Sequence, residues 1–501
     1  AAERLLVAML AAGVGIALGY VIAAALLPDV AATLRGLYGV PVAGASALRP
    51  EWRLSGPAIA LLGTSVATAQ YVWQLARSRA RATAIPRARA RASAGAMRRQ
   101  AVLAGAILLT APLIGLLGSG LAAGFALLAA FLLGAALALP PVLAGLLALF
   151  ERRAKTPLTE WLWADCRLQL PGLSLALMAL LLAVAANIGV STMVGSFRTT
   201  FTGWLDQRLA AELYLNLGED ARAAELRPLL DATAEAVLPI SAVDADLAGA
   251  PGRLYGQPDH ATFRDNWPLL AAGPEVWPRL STGEGVLINE QLAYGADVAP
   301  GDTVTVDGTA LPVLGIYSDY GNPRPQAIMG LEPFLTRLPD APRHRIALRV
   351  PPETVPEVMA ELQAAGIRPD QMTDQAALKQ VSLQVFERTF AVTAALNILT
   401  LSVAALAILT SLLTLAALRL PQIAPVWAIG LTRARLGALE LVRAGLLALF
   451  TVILALPVGL VLAWVLLAIV NVEAFGWRLP MHLFPADWAA ISTLAVLAAL
   501  V

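Results

Sequence analysis

Residues 173–195 read LSLALMALLLAVAANIGVSTMVG and contain no Asp, Glu, Lys, Arg or His. A bilayer hydrocarbon core takes about 20 apolar residues in a helix, so this stretch is long enough to cross one. Downstream the texture changes: from Ser196 to about residue 388, Pro, Gly, Asp and Glu are frequent. A second long apolar run then begins near 389. The reading is therefore a membrane protein with a large water-exposed domain held between two spans.

Working outward, eight segments meet or approach spanning length: 5–27, 57–76, 101–117, 122–149, 173–195, 389–416, 444–470 and 487–501. Gly118, Ser119 and Gly120 split the third from the fourth, as a turn would. The whole chain is 58% hydrophobic and 14% charged, well outside the balance of soluble domains. Net charge is +1, which gives no field pointing to nucleic acid. A single cysteine, Cys166, excludes an internal disulfide. The span cores hold few polar groups, Gln70, Asn187 and Asn397 among them. Carriers that move ions usually place ionisable groups there, so secondary transport is disfavoured. The pairs Gly15/Gly19 and Gly120/Gly124 fit close helix packing.

Arginine sets the orientation. Segment 77–100 carries Arg77, Arg79, Arg81, Arg87, Arg89, Arg91, Arg98 and Arg99. Segment 151–172 carries Arg152, Arg153, Lys155 and Arg167, and 417–443 carries Arg419, Arg433, Arg435 and Arg443. Alternating spans put all three on one side, which the positive-inside rule makes cytoplasmic. The 197–388 domain then lies outside. Run 77–100 reads first as a solvated linker that fixes topology, with lipid headgroup contact as the sharper alternative.

The outer domain reads as α+β. Strands are expected at Glu212–Leu217, Gly285–Ile288, Thr303–Val306, Leu311–Tyr317 and Arg345–Val350, and helices at Ala221–Val237 and Val355–Ala365. Asp307-Gly308 between two alternating runs predicts a tight hairpin. A β-rich insertion is expected at about 240–342. From Gln375 to Leu420 there is neither Gly nor Pro, which allows a helix of roughly 65–70 Å, about twice the bilayer core. Its first part is polar around a stripe of Leu378, Val381, Val385 and Phe386. The helix leaving the membrane at 195 carries Phe197, Phe201, Trp204 and Leu205 on one side. Both are expected to project from the membrane as stalks, either passive or able to pass movement outward.

Residues 10–18, LAAGVGIAL, align without gaps on 454–462, LALPVGLVL. Each is followed by an external loop ending alike, LRPEW at 48–52 and PADW at 485–488, and then by another span. This implies two homologous halves, the first lacking its opening span, its outer domain and the span after that domain. The chain reads as a fragment.

The most specific stretch is 419–436, RLPQIAPVWAIGLTRARL, with Glu440 after it. Ile423, Val426, Trp427 and Leu431 form an apolar stripe next to Arg433 and Arg435, the pattern of an amphipathic interfacial helix. Trp427 suits either a protein interface or the headgroup level. On these residues the chain resembles the FtsX/MacB-like ABC permease family. Arg419, Ile423, Ala424, Ala428, Gly430, Arg433, Leu436 and Glu440 fit its pattern. Gln422 replaces a usual Glu, Trp427 a usual Arg, and Pro421 and Pro425 are atypical. The stretches GVLINEQLA at 285–293, PGDTV at 300–304 and VLGIY at 313–317 are similar to that family's periplasmic domain. The pair 101–149 resembles the linker spans of ten-helix, YbbP-like members.

The resemblance implies a polytopic α-helical membrane protein with one α+β, MacB-like periplasmic domain, in a bacterial inner membrane. It implies this arrangement: 1–76, the end of a first permease repeat; 77–100, the Arg-rich cytoplasmic linker; 101–150, two linker helices; 151–196, a cytoplasmic segment and span; 197–388, the periplasmic domain with its stalks; 389–501, a second permease domain of three spans. The implied role is the permease subunit of an ABC transport system, coupled to a separate cytoplasmic ATPase in two copies. Arg419, Gln422, Ile423, Val426, Trp427, Gly430, Arg433, Arg435 and Glu440 are the expected coupling residues. ATP and Mg²⁺ would belong to the ATPase, with no cofactor, metal or nucleic acid in this chain. Membrane lipids, hydrophobic cargo or a periplasmic partner complete the picture. The alternative role is a non-transporting regulator of an envelope hydrolase or sensor.

No catalytic chemistry is expected. A P-loop needs Gly-Lys, and the only lysines, Lys155 and Lys379, follow Ala154 and Leu378. His260, His344 and His482 are dispersed, and Asp244, Asp246, Asp259 and Asp265 read as turn residues.

Overall fold

The computed structural model describes residues 6–7, 9–21, 24, 57–58, 61, 64–65, 86–320, 322, 324–382, 398–403, 405–407, 409–410 and 432–500. Three long helices come first. Helix α1 (Pro86–Leu117) and α2 (Leu121–Arg152) form a hairpin. The turn falls where expected, because Gly120 adopts φ +83°, a conformation that other residues resist. Helix α3 (Pro157–Arg208) is 52 residues long, or roughly 78 Å at 1.5 Å per residue. Thr156 starts it: its hydroxyl accepts from the Thr159 N–H, and the Thr159 hydroxyl accepts in return from the Thr156 N–H, each at 3.4 Å. Pro157 at the first helical position needs no hydrogen-bond partner for its nitrogen.

The chain then enters the outer domain, whose first layer is an antiparallel sheet. Its order is β11 (Met372–Asp374), β1 (Leu213–Asn216), β10 (Arg345–Arg349), β2 (Ala236–Pro239). Helices α4 (Asp220–Thr233) and, further along, α9 (Val355–Ala364) cover it, burying Leu213, Leu215, Leu230, Leu348, Val358 and Leu362. Helix α4 ends at Thr233 rather than at Val237: residues 236–239 are drawn into pairing with β10, with Val237 opposite Leu348. The helical periodicity of that short apolar run is overridden by tertiary pairing.

Between β2 and β10 lies the β-rich insertion. It comprises β3 (Ser241–Leu247), β4 (Ala250–Gln257), α5 (Ala261–Asn266), β5 (Leu269–Ala272), α6 (Val276–Ser281), β6 (Val286–Asn289), α7 (Glu290–Ala296), β7 (Thr303–Val306), β8 (Thr309–Tyr317), β9 (Gln326–Gly330) and α8 (Leu331–Arg337). The sheet order is β5-β8-β6-β9-β4-β3-β7, and β7 also pairs with β8. Six strands thus close into a small barrel with β5 appended, filled by Leu254, Val286, Ile288, Val304, Val313, Met329 and Phe334. Asp307 and Gly308 both take positive φ, 44° and 78°, which makes the β7–β8 hairpin the tight primed turn expected from the sequence.

The chain returns to the membrane helices through α10 (Arg433–Val465), a π-helical turn (Leu466–Val470), α11 (Asn471–Phe475) and α12 (Pro485–Leu500). Helix α3 is the centre of this bundle: it packs on α2, α10 and α12, whereas α1 packs mainly on α2. Of the best spanning window, 56% is buried in α3 and only 11% in α1, so α1 presents its leucines outward as a lipid-facing helix does. Leu143, Leu147, Leu180, Val184, Ile188, Leu447, Ala455 and Ala495 fill the shared core. Four helices among the described residues are long and apolar enough to cross a membrane, and Met9–Val21, Ile398–Ala407 and Pro485–Leu500 are shorter apolar helices.

Candidate coupling sites along the central helix

At the end of α3 next to the arginine-rich segments, Arg443 of α10 is buried, 3% exposed. One guanidinium nitrogen sits 3.2 Å from Asp165 of α3 and donates at 2.9 Å to Glu440. Gln169 donates to the same Asp165 carboxylate at 2.7 Å. By sequence Arg443 belongs with the loop arginines; in the fold it is a buried helix–helix contact faced by two carboxylates. Beside it Phe150 of α2 stacks on Trp163 of α3 and on Phe450 of α10, with centroids 5.1 and 5.4 Å apart, and Trp163 and Phe450 meet tilted at 6.1 Å. One end of three helices is thereby fastened together.

Further along, nearer the outer-domain end, α3 and α10 touch backbone to backbone. A Cβ on Gly459 would lie 2.8 Å from the Ala185 carbonyl oxygen, and one on Gly189 would lie 3.1 Å from the Gly459 oxygen. Only glycine admits this approach. Of the glycines singled out in the sequence, Gly124 does pack closely, against Val470, while Gly120 serves the turn. Asn187 donates at 2.8 Å to Thr400, tying α3 to the helical stretch near 400.

Toward the outer domain, Trp488 donates to Thr192 at 2.9 Å and the His482 N–H donates to Ser196 at 2.9 Å. Beyond them Phe197, Phe201, Trp204 and Leu205 share one face of α3, as expected, and pack against Tyr320, Leu467, Trp477 and Leu479. Trp204 donates to the Ser318 carbonyl at 2.9 Å. At the tip, Arg208 lies 3.9 Å from Asp319 and 4.3 Å above the Trp267 ring. The returning stalk, helical over 375–382, runs alongside: Gln375 donates to the Leu209 carbonyl at 2.6 Å, and Lys379 pairs with Asp206. Leu378 and Val381 of its stripe are exposed.

The loop 318–324 that meets the stalk is shaped from within the barrel. Gln291 donates at 2.7 Å to the carbonyls of Asp319 and Asn322, and Asn289 donates at 2.9 Å to that of Arg324. Next to them Glu290 accepts from the Arg478 N–H at 3.2 Å, joining the barrel to the loop after α11. Its other oxygen is buried with no hydrogen-bond partner. Burial pushes the Glu290 carboxyl up to about 7; the Arg478 N–H and the exposed Arg478 guanidinium offset part of this. Burial and the neighbouring Glu290 push Tyr320 up to about 12.

Of the coupling residues named from the sequence, Arg419, Gln422, Ile423, Val426, Trp427 and Gly430 lie outside the described residues. Arg433 and Arg435 fall in the first turn of α10, and Glu440 one turn later against Arg443. The outer joint carried no assigned role in the sequence, although a glutamate inside the apolar run 285–293 was the available signal. Among the described residues no cluster of His, Cys, Asp and Glu is placed to hold a metal.

Residues 173–365 match the MacB-like periplasmic core domain, and residues 394–501 match the FtsX-like permease C-terminal region. Over 356 residues the chain is 28% identical to an uncharacterized ABC transporter permease protein of Mycobacterium tuberculosis. That alignment covers 65% of this chain and 41% of the relative, so the chain spans less than half of that protein's length. The periplasmic region of MacB from Actinobacillus actinomycetemcomitans aligns with a TM-score of 0.26 at 14% identity, covering 34% of this chain and 91% of that one. The extracellular domain of the noncanonic ABC-type transporter YknZ from Gram-positive bacteria aligns with a TM-score of 0.25 at 12% identity, covering 33% and 98%.

Proposed function

Since the chain belongs to the FtsX/MacB-like family of ABC transporter permeases, we propose that it converts the motion of a separate cytoplasmic ATPase into motion of its outer domain. The observation that carries this reading is α3, an unbroken helix from its Thr156 cap to Arg208 under the barrel. The ATPase, in two copies, binds ATP and Mg²⁺ and presses on the segment 419–436, with Trp427 buried at the contact and Arg433 and Arg435 at its rim. Closure then shifts α10 against α3 through the Arg443–Asp165 contact. The stalk passes that shift to the barrel by way of Trp204 and Arg208. The cargo class is lipid, lipoprotein or another hydrophobic compound taken from the outer leaflet of a bacterial inner membrane.

The test is reconstitution with a co-purifying nucleotide-binding protein. Replacing 419–436 by a Gly/Ser linker of equal length is expected to abolish binding and stimulation of the ATPase. Unchanged stimulation would sink the coupling role of that segment. A second reading is regulation of an envelope enzyme, for which the outer domain offers a polar cleft of about 390 Å³ lined by Glu235, His260, Asp265 and Arg349 among others. Lipid or lipoprotein extraction from proteoliposomes supports transport; specific capture of an envelope hydrolase with no extraction supports regulation.

A further inference from the structure

We propose that the seam between the outer barrel and the permease loop after α11 is proton-gated: Glu290 holds it closed when protonated and loosens it when ionised. The idea rests on the coupling reading above, since the seam joins the driven domain to the driving helices.

Glu290 is 6% exposed and stands at the first position of α7. Its backbone is fixed by Asn289, whose side-chain oxygen accepts from the Leu292 and Gln326 N–H groups at 3.1 and 2.9 Å. The carboxyl therefore faces the partner loop rather than water. Across the seam, Gly476 turns the chain with φ +74°, and a Cβ there would meet Gln291 at 3.5 Å. Trp477 and Leu479 follow, both buried against Tyr320 and the stalk. This contact is close and largely apolar.

The charges around Glu290 offset its burial only in part. From α7 itself comes Tyr294, from the loop after β8 come Asp319 and Tyr320, and none of these is cationic. From α3 comes Arg208, which faces Asp319 and the Trp267 ring. From the partner loop comes Arg478, whose guanidinium is exposed while its N–H meets the carboxyl. An ionised carboxyl would hold one hydrogen bond and leave a buried oxygen without a partner. Such a charge is relieved either by taking up a proton or by admitting water. Burial has moved Glu290 to about 7, where a modest pH change selects between the two. The seam is tight in acid and looser in mild alkali.

Hydrogen–deuterium exchange on the full chain in nanodiscs tests this between about pH 5.5 and 8.5, after correction for the intrinsic pH dependence of amide exchange. Protection over 474–484 and 286–296 is expected to fall several-fold as pH rises through about 7. In Glu290→Gln, which keeps the shape without the charge, protection stays high throughout. Glu290→Leu, neutral and similar in volume, gives the same flat profile. A flat wild-type profile overturns the proposal without any variant, and an undiminished fall in both variants overturns it as well. The measurement needs neither ATPase nor nucleotide. Failure here leaves the coupling reading standing, and loss of coupling with an intact pH response sinks only that reading.

Discussion

Arg443 spends its charge on a contact between α3 and α10, where Asp165 and Glu440 face it. Removing one partner of a buried pair leaves an uncompensated charge and typically costs about 3–5 kcal/mol. Arg443→Met is expected to destabilise the detergent-solubilised protein by about that amount, read as a lowered unfolding midpoint, and Asp165→Asn in the same background to restore part of it. Additive losses would show the two residues are not coupled. Glu290 makes stability depend on pH. Its folded value of about 7 lies above the unfolded 4.5, so its contribution is fully present below 4.5 and is lost as pH rises through 7. At 1.36 kcal/mol per unit the loss amounts to roughly 3 kcal/mol. Thermal stability of the wild type should therefore fall between pH 4.5 and 7 more steeply than that of Glu290→Gln; parallel curves would remove Glu290 as the cause. At this scale the sequence was a poor guide: Arg443 reads as a loop arginine because it sits one residue before an apolar run, and Glu290 meets a partner in a loop far along the chain.

Among the elements, the crossing of α3 and α10 is the most constrained. Gly459→Ala places a methyl 2.8 Å from a carbonyl oxygen and from Ile188 Cβ, so the helices must separate. Overpacking of this kind costs about 1–3 kcal/mol. Gly145 of α2 has nothing within 4 Å of its own Cβ position, and Gly145→Ala should be neutral or stabilising by up to about 1 kcal/mol. The pair is checked by unfolding midpoints side by side; equal effects would mean the close approach is absent. The four spans within 101–117, 122–149, 173–195 and 444–470 and the Asp307-Gly308 hairpin were legible because local chemistry decides them: unbroken apolar length in the first case, two residues tolerant of positive φ in the second. Strand β2 was not, since its four residues take their conformation from β10. Barrel closure was not legible either, because β3 meets β7 through the single register pair Leu247–Val306, which leaves no pattern in the sequence.

At the scale of the whole molecule, α3 runs continuously from the bundle to the barrel. Gly203 lies on the exposed side of the stalk, and a Cβ there would meet nothing within 4 Å, so Gly203→Pro interrupts α3 between the bundle and the barrel without disturbing a packed face. Proline inside a helix costs about 3 kcal/mol and kinks it. The outer domain, with its own sheet and barrel cores, should stay folded. An ATPase that binds the other end should still bind. Nucleotide-driven changes in the labelling of a reporter cysteine introduced at exposed Leu270 should disappear; if they persist, motion reaches the barrel by another route.

The position of the Gly189–Gly459 crossing along α3 has a mechanical meaning. From Gly189 the helix runs roughly 48 Å to Pro157 in one direction and roughly 29 Å to Arg208 in the other. Tilted as one body about that point, with Pro171 accommodated inside the longer arm, it is a first-class lever with unequal arms. A tilt of about 5° swings the Pro157 end by about 4 Å and the Arg208 end by about 2.5 Å the opposite way, taking 1.5 Å per residue for the arm lengths. The stroke shrinks by a factor of about 1.7 along those arms, and the force grows by the same factor. If the proposed coupling holds, a fulcrum placed off-centre in this way trades reach for thrust: the outer domain would be pushed a short distance, hard, and in the reverse sense to the motion applied at the other end.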